Sequence, residues 1–216
     1  MLNIRCIHTG PLAVNTYIVW REGDKAPFDC VVIDPANSVK VMGFLNANGL
    51  VLKAILLTHG HFDHIMGVAR LKEQTGAKIY INKLDAPALG DNSASLAAMI
   101  GVKVDPSEVD VFVEDGSVIE EAGVRFRAVH TPGHTMGGVC YILDDERVIF
   151  SGDTLFRLSM GRTDLPGGDT GMLLDSIIYK LFTLKGDYRV LPGHEGETTL
   201  EYERKYNPCA RGGMYE

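Results

Sequence analysis

Thr58-His59-Gly60-His61-Phe62-Asp63-His64 places three imidazoles and a carboxylate within six residues. A short apolar run, Lys53 to Leu57, leads straight into it. Ile65 to Gln74 follows with helical spacing, and Gly76 marks the stop. The stretch therefore reads as the turn from a buried strand into a helix. In an extended segment side chains two apart share a face, so His59 and His61 can grip one ion. Asp63 and His64, where the chain enters the helix, can reach a second, and a carboxylate there gains from the helix N-terminus. A lone His-x-His is commonly a surface pair, and a lone His-Asp pair a core hydrogen bond, so the remainder of the chain decides.

Three further positions answer it. His134 sits in Thr131-Pro132-Gly133-His134-Thr135, Asp153 in Ser151-Gly152-Asp153-Thr154, and His194 in Pro192-Gly193-His194-Glu195. Each follows the end of an apolar strand, and residues at the carboxyl ends of strands converge on one cleft. Five of the seven histidines belong to this set. Of the others, His8 reads as structural, and His130 as a core residue or a neighbour that orients a ligand. Neutral imidazole and carboxylate suit zinc, with iron or manganese as alternatives, and no thiolate is present to build a closed Cys-rich site. Seven candidate ligands are too many for one tetrahedral ion. They suit two divalent ions, roughly 3.5–4 Å apart, that share a carboxylate and a water. Asp63 and Asp153 are the candidate catalytic carboxylates. Gly60, Gly133, Gly152 and Gly193 flank ligands, either as turn residues or to let backbone come close to the metals.

Working outward, strands are expected at Leu2 to His8, Asn15 to Trp20 and Cys30 to Asp34, then at Lys78 to Ile81. They return from Val118 onward, at Gly123 to His130, Gly138 to Leu143, Arg147 to Phe150 and Arg189 to Leu191. Asn37 or Ser38 caps a helix that Gly49 stops. Lys83 to Leu89 reads as a short helix, Asp169 to Leu184 as an amphipathic one, and the tail from Thr198 as one helix ending before Pro208. Asp91 to Asp110 reads as a mobile connection or short helix near the site. Strands dominate each half with helices outside, which makes an α/β sandwich of two facing sheets. No linker or repeat interrupts it, so residues 1–216 are expected to form a single domain.

Composition narrows the function. The chain of 216 residues is 45% hydrophobic and 23% charged, with a net charge of −7. That balance argues against a nucleic-acid partner, which wants a concentrated basic surface. The N-terminus, Met1 to His8, lacks the apolar core of a signal peptide, and no run of about 18 apolar residues exists. A cytoplasmic protein without a membrane partner is expected. Cys6, Cys30, Cys140 and Cys209 form no C-x-x-C pair and read as reduced, structural cysteines.

Thr58 to His64, Thr131 to Gly137, Ser151 to Phe156 and Pro192 to Glu195, in this order, resemble the metallo-β-lactamase superfamily. They look most like its glyoxalase II (hydroxyacylglutathione hydrolase) branch, in the short, compact bacterial form. Gly161-Arg162-Thr163-Asp164-Leu165-Pro166-Gly167-Gly168 and the tail from Thr199 to Pro208 look like that short form. The resemblance implies a four-layer αββα sandwich. It implies that His59, His61 and His134 bind a first metal, that Asp63, His64 and His194 bind a second, and that Asp153 bridges them. In classical glyoxalase II a basic residue at the place of Arg162 holds a glutathione carboxylate. Two features depart from that enzyme. Gly196 stands where it has a Tyr, and only 22 residues follow His194, too few for its helical extension with basic glutathione contacts.

The activity so implied is hydrolysis of a small-molecule thioester, S-D-lactoylglutathione or a relative, by a hydroxide held between the ions. A thiolate leaves without a general acid, because its thiol has a pKa near 8.5. Amides and β-lactams need the leaving nitrogen protonated, and no extra acid residue is apparent. Arg162, and second Arg157, are candidates to bind an acidic substrate tail, with a surface salt bridge as the competing reading for each. Two other activities compete. One is a mononuclear iron persulfide dioxygenase, whose branch shares Gly161-Arg162-Thr163-Asp164. The other is a lactonase or phosphodiesterase on the same dinuclear centre.

Overall fold

The computed structural model describes residues 1–23 and 25–211, Arg211 by its backbone alone. The chain forms two six-stranded sheets and a small two-stranded one. The first large sheet runs, in spatial order, β1 (Leu2–Thr9), β2 (Val14–Arg21), β3 (Phe28–Ile33), β4 (Leu50–Leu56), β5 (Lys78–Asn82) and β6 (Val111–Val113). Its first three strands pair antiparallel and the rest parallel. The second contains β7 (Val118–Glu121), β8 (Val124–His130), β9 (Val139–Leu143), β10 (Val148–Gly152), β13 (Arg189–Pro192) and β14 (Thr198–Thr199). Its spatial order is β14-β13-β10-β9-β8-β7, and only β10 and β13 pair parallel.

Alternation along the strands builds the layers. Tyr17, Val19, Val31, Ile33, Ala54 and Leu56 of the first sheet meet Phe126, Tyr141, Leu143 and Phe150 of the second. The residues between them point the other way. Ile18, Cys30, Val32, Ile55 and Leu57 pack under Val41, Leu45, Val68 and Leu71 of the outer helices. Cys140, Ile142, Ile149 and Val190 pack under Leu173, Ile177 and Leu181. A period-2 pattern with both faces apolar yields strands covered on both sides, hence the αββα order that the resemblance implied. No disulfide joins the cysteines, and Cys30 and Cys140 are buried.

The helices follow local chemistry. In α1 (Ser38–Asn48) the Asn37 side chain accepts from Lys40 N at 2.9 Å, and Gly49 ends the helix with φ of 62°. The helix expected over Ile65 to Gln74 is instead two, α2 (Phe62–Ile65) and α3 (Val68–Thr75). Gly67 separates them because its N–H donates to Pro35 O at 2.8 Å, so close that a Cβ would stand 2.4 Å from that oxygen. Asp169 to Leu184 is likewise split, into α4 (Thr170–Asp175) and a wider π turn at Ser176–Leu181. There Phe182 N reaches back five residues to Ile177 O, and Ser176 Oγ donates to Pro132 O at 2.8 Å. The expected helix at Lys83 to Leu89 is only a 3-10 turn, Ala86–Leu89, with Pro87 removing an N–H from it. The tail forms α5 (Leu200–Tyr206), capped by Thr199. No helix among the described residues is long and apolar enough to cross a membrane.

Candidate metal centre

Three loops, after β4, β8 and β13, and the end of β10 meet at one edge of the sandwich. His59, His61 and His134 present ring nitrogens that lie within 4.8 Å of one another, and Asp63, His64 and His194 form a second such group. Within the first, His61 Nδ1 faces His134 Nε2 at 2.9 Å. Within the second, His64 Nε2 faces His194 Nε2 at 3.2 Å, and His194 Nε2 lies 3.3 Å from Asp63 Oδ2. Asp153 stands between the groups. Its Oδ1 is 3.5 Å from His64 Nε2, while its Oδ2 is 3.5 Å from His134 Nε2 and 3.6 Å from His194 Nε2. All seven residues named from the sequence therefore converge.

The rings are aimed by a network behind them. His59 Nδ1 lies 3.0 Å from Thr58 Oγ1, which in turn donates to Asp34 Oδ2 at 2.6 Å. Since the hydroxyl proton is committed to Asp34, Thr58 Oγ1 accepts from His59, and Nε2 is left bare toward the centre. His64 Nδ1 donates to Asp34 Oδ2 at 3.0 Å, and His134 Nδ1 donates to Arg162 O at 2.7 Å. With Nδ1 so engaged, both rings turn Nε2 inward, the nitrogen that metal-binding histidines offer in this arrangement. Asp34, His59 and His64 also lie close enough to hold an ion. The Asp34 oxygens, however, already accept from Thr58 N, Thr58 Oγ1 and His64, so Asp34 orients rather than ligates.

The donor set fits divalent ions. His59 Nε2 and Asp153 Oδ1 are buried without any hydrogen-bond partner, a costly state for a polar atom unless something else satisfies it. The 2.9 and 3.2 Å separations between facing nitrogens resemble the edge, about 3.3 Å, of a tetrahedron with metal–nitrogen bonds of about 2.0–2.1 Å. Titration points the same way. Burial, then the charges of His134 and His64, pull His61 down to about 3, and burial and its neighbours hold His59 well below its usual value. For Asp63 burial opposes the charge, but His64 and His194 outweigh it and hold the carboxyl at about 2. His64 is also opposed by burial, yet Asp153, Asp63 and Asp34 raise it to about 10. Burial opposes His194 as well, yet its hydrogen bond to Asp63 and the charge of Asp153 raise it, so crowded carboxylates draw positive charge onto both rings in the absence of a metal.

Glycine lets β13 come close. A Cβ at Gly193 would lie 2.3 Å from Asp153 Oδ1 and 2.7 Å from His64 Cε1. This supports the close-approach reading of that glycine over a mere turn. Asp85 was not foreseen. Its buried carboxylate accepts from Gly60 N at 2.9 Å, Thr135 Oγ1 at 2.7 Å and Gly137 N at 2.7 Å, tying the His59–His61 loop to the His134 loop. Asn15 does similar work on the third loop, donating to Pro192 O at 3.0 Å and Glu195 O at 2.8 Å. Asp34 could have been found, since it ends an apolar strand just as Asp153 does. Asp85 carries no such signal.

The two arginines fare differently. Arg162 lines the cavity over the donors, but its Nε and Nη2 pair with Asp164 at 2.7 and 2.8 Å. Arg157 does not line that cavity; its guanidinium lies 5.7 Å from the centre of the Tyr202 ring. His8 and His130 belong to none of the donor groups.

The family model of the metallo-beta-lactamase superfamily matches residues 9–194. This chain belongs to the metallo-beta-lactamase superfamily. Among its relatives, the hydroxyacylglutathione hydrolase GloC of Haemophilus influenzae is 31% identical, over 96% of this chain and 97% of its own length. The solved structure of BLEG-1, a B3 metallo-beta-lactamase, superposes with a TM-score of 0.90 at 33% identity, covering 98% of this chain and all of BLEG-1. TTHA1623, solved in a di-iron-bound form, gives 0.81 at 38% identity, covering 94% and 98%. As a superfamily member with a converged His/Asp cluster, the chain is of the metallo-hydrolase type.

Proposed function

We propose that the chain is a dinuclear metal-dependent thioester hydrolase. His59, His61 and His134 hold one ion, Asp63, His64 and His194 the other, and Asp153 bridges the two. The observation that carries this reading is the position of Asp153, within 3.5–3.6 Å of ring nitrogens from both groups. A mononuclear centre would leave one complete donor group without a task. Zinc suits the donors, and the di-iron form of TTHA1623 keeps iron beside it. When bound, such ions supply Lewis acidity and a water acidic enough to ionise near neutral pH.

The protein's own part is orientation and exclusion. Asp34, Thr58 and the Arg162 carbonyl fix three ring planes and tautomers before substrate arrives. The cavity is walled largely by apolar side chains, which a bound substrate would cover and so displace water from the reacting carbonyl. Apart from the proposed ligands, the described residues of its lining include two ionisable groups, Arg162, which is paired with Asp164, and Glu195. A thiolate, stable without protonation near neutral pH, is thus the leaving group this site handles best. S-D-lactoylglutathione enters as an assay substrate through the likeness to GloC. The test is a panel of S-D-lactoylglutathione, an acyl-N-acetylcysteamine thioester, an aliphatic lactone and a phosphodiester, offered to zinc- and iron-loaded protein. Thioester turnover at least tenfold above the other classes is expected. Preference for the lactone or phosphodiester would overturn the reading.

A further inference from the structure

The cavity over the metal centre has a volume of about 960 Å³, ample for a sizeable small molecule. Its floor is the donor set, and its walls come from three separate places. Leu12 comes from the turn after β1. Leu96, Met99 and Ile100 come from the Asp91 to Asp110 stretch, expected as a mobile connection or short helix near the site, which forms a 3-10 turn at Ala97–Ile100. Phe156 and Met160 come from the hairpin of β11 (Leu155–Phe156) and β12 (Ser159–Met160). The wall reaches the donors themselves: the Phe156 ring meets the His194 ring edge-on at 6.3 Å between centres. The middle segment is anchored to the metal motif, because Phe62 N donates to Ser95 O at 2.8 Å. Leu12, Met99 and Ile100 are 55%, 64% and 56% exposed, a cost in apolar hydration that an occupant would remove.

Charge excludes the obvious occupant. Glutathione carries two carboxylates and one ammonium. Among the described residues Arg162 is the only Lys or Arg lining the cavity, both its Nε and Nη2 are bound to Asp164, and Glu195, also in the lining, repels anions. We infer that the cavity binds the hydrocarbon chain of an uncharged thioester, held so that its carbonyl lies at the donor set. The inference rests on the hydrolase reading for the bond that is cut, but the binding of the chain does not. Met99 and Met160 suit the role, since unbranched thioethers adapt to chains of differing length.

The experiment has a binding arm and a turnover arm. Non-hydrolysable S-alkyl-N-acetylcysteamine thioethers, from S-ethyl to S-octyl, are titrated calorimetrically into metal-loaded protein, with S-methylglutathione alongside. With each methylene half buried, affinity rises about twofold per methylene and roughly 60-fold across the series. S-methylglutathione binds no more tightly than the S-ethyl compound. In turnover, kcat/KM for acetyl- to octanoyl-N-acetylcysteamine rises in parallel if the chain enters on the acyl side, and stays level if it enters on the thiol side. Either outcome, joined to the rising affinity, upholds the inference. Met99→Glu combined with Ile100→Glu flattens the chain-length slope. Affinity independent of chain length overturns the inference, as does S-D-lactoylglutathione outpacing every acyl thioester. So does a double variant that keeps the slope but dissociates an oligomer, which would make this wall an interface between copies. A rising affinity without hydrolysis of any thioester would sink the hydrolase reading and leave the apolar site standing.

Discussion

Asp85→Ala is the perturbation that most cleanly separates the architecture of the centre from its ligands, because Asp85 touches no donor atom. Its carboxylate is the only side chain seen to accept from Gly60 N, Gly137 N and Thr135 Oγ1, all on buried residues. Truncation leaves two backbone N–H groups and one hydroxyl without their acceptor. A buried donor so orphaned costs about 1–3 kcal/mol, so the variant should lose about 2–5 kcal/mol of stability once partial rescue by water is allowed. Burial pushes the Asp85 carboxyl upward despite three donors, which tempers the gain from its charge and favours the lower half of that range. The functional consequence is local. Gly60 lies between His59 and His61, and Thr135 follows His134, so losing the tie frees the two loops whose nitrogens now stand 2.9 Å apart. Removing a group that positions ligands typically lowers metal affinity about 10–100-fold. Urea unfolding of metal-free protein measures the first effect, and competition with a chromogenic zinc chelator the second. A loss below about 0.5 kcal/mol together with unchanged zinc affinity would refute the account of Asp85.

Two further outcomes follow from the site. His64, held up to about 10 by surrounding carboxylates, must give up its Nε2 proton to bind an ion, so protons compete with metal below that value. Affinity of the Asp63, His64, His194 group should therefore climb at least about tenfold per pH unit above neutrality. Calorimetry in buffers of differing ionisation enthalpy should find at least about one proton released, and a heat independent of buffer would contradict this. Gly193→Ala should push Asp153 aside, since its Cβ would lie 2.3 Å from Oδ1, and should weaken metal retention at least about tenfold. Gly196→Ala, with nothing within 4 Å of the added carbon, is the control and should retain metal normally.

Much of this architecture was legible because it is periodic or chemically rare. Strands such as β3 and β4 announce themselves by apolar runs broken only by Asp29 and Lys53, and the Asn37 and Gly49 caps by residue type. Five histidines and two aspartates at strand ends admit few explanations besides metal. The misreadings have long-range causes. Nothing near Gly67 reveals that Pro35 will press against it, nor near Ser176 that it will bond Pro132, so two helices looked continuous that are not. The three-residue strand β6 owes its place to pairing with β5, which ends 29 positions earlier, and lacks a pattern of its own. Arg157, the second candidate for an acidic substrate tail, is carried to Tyr202 by the turn between β11 and β12, a contact with no local sequence signal. Asp85 looked like an ordinary residue at a helix start; its three partners come from two other segments.

The central claim is that two ions share one carboxylate, and metal stoichiometry tests it most directly. Protein freed of metal, reloaded with zinc and passed through a desalting column should carry two ions per chain by mass spectrometry. Asp153→Ala, which removes the carboxylate that faces ring nitrogens of both groups, should carry at most one under the same conditions and lose thioester turnover with it. Wild-type protein that holds a single ion at saturation, or an Asp153→Ala variant that keeps both with unchanged affinity, would contradict the account.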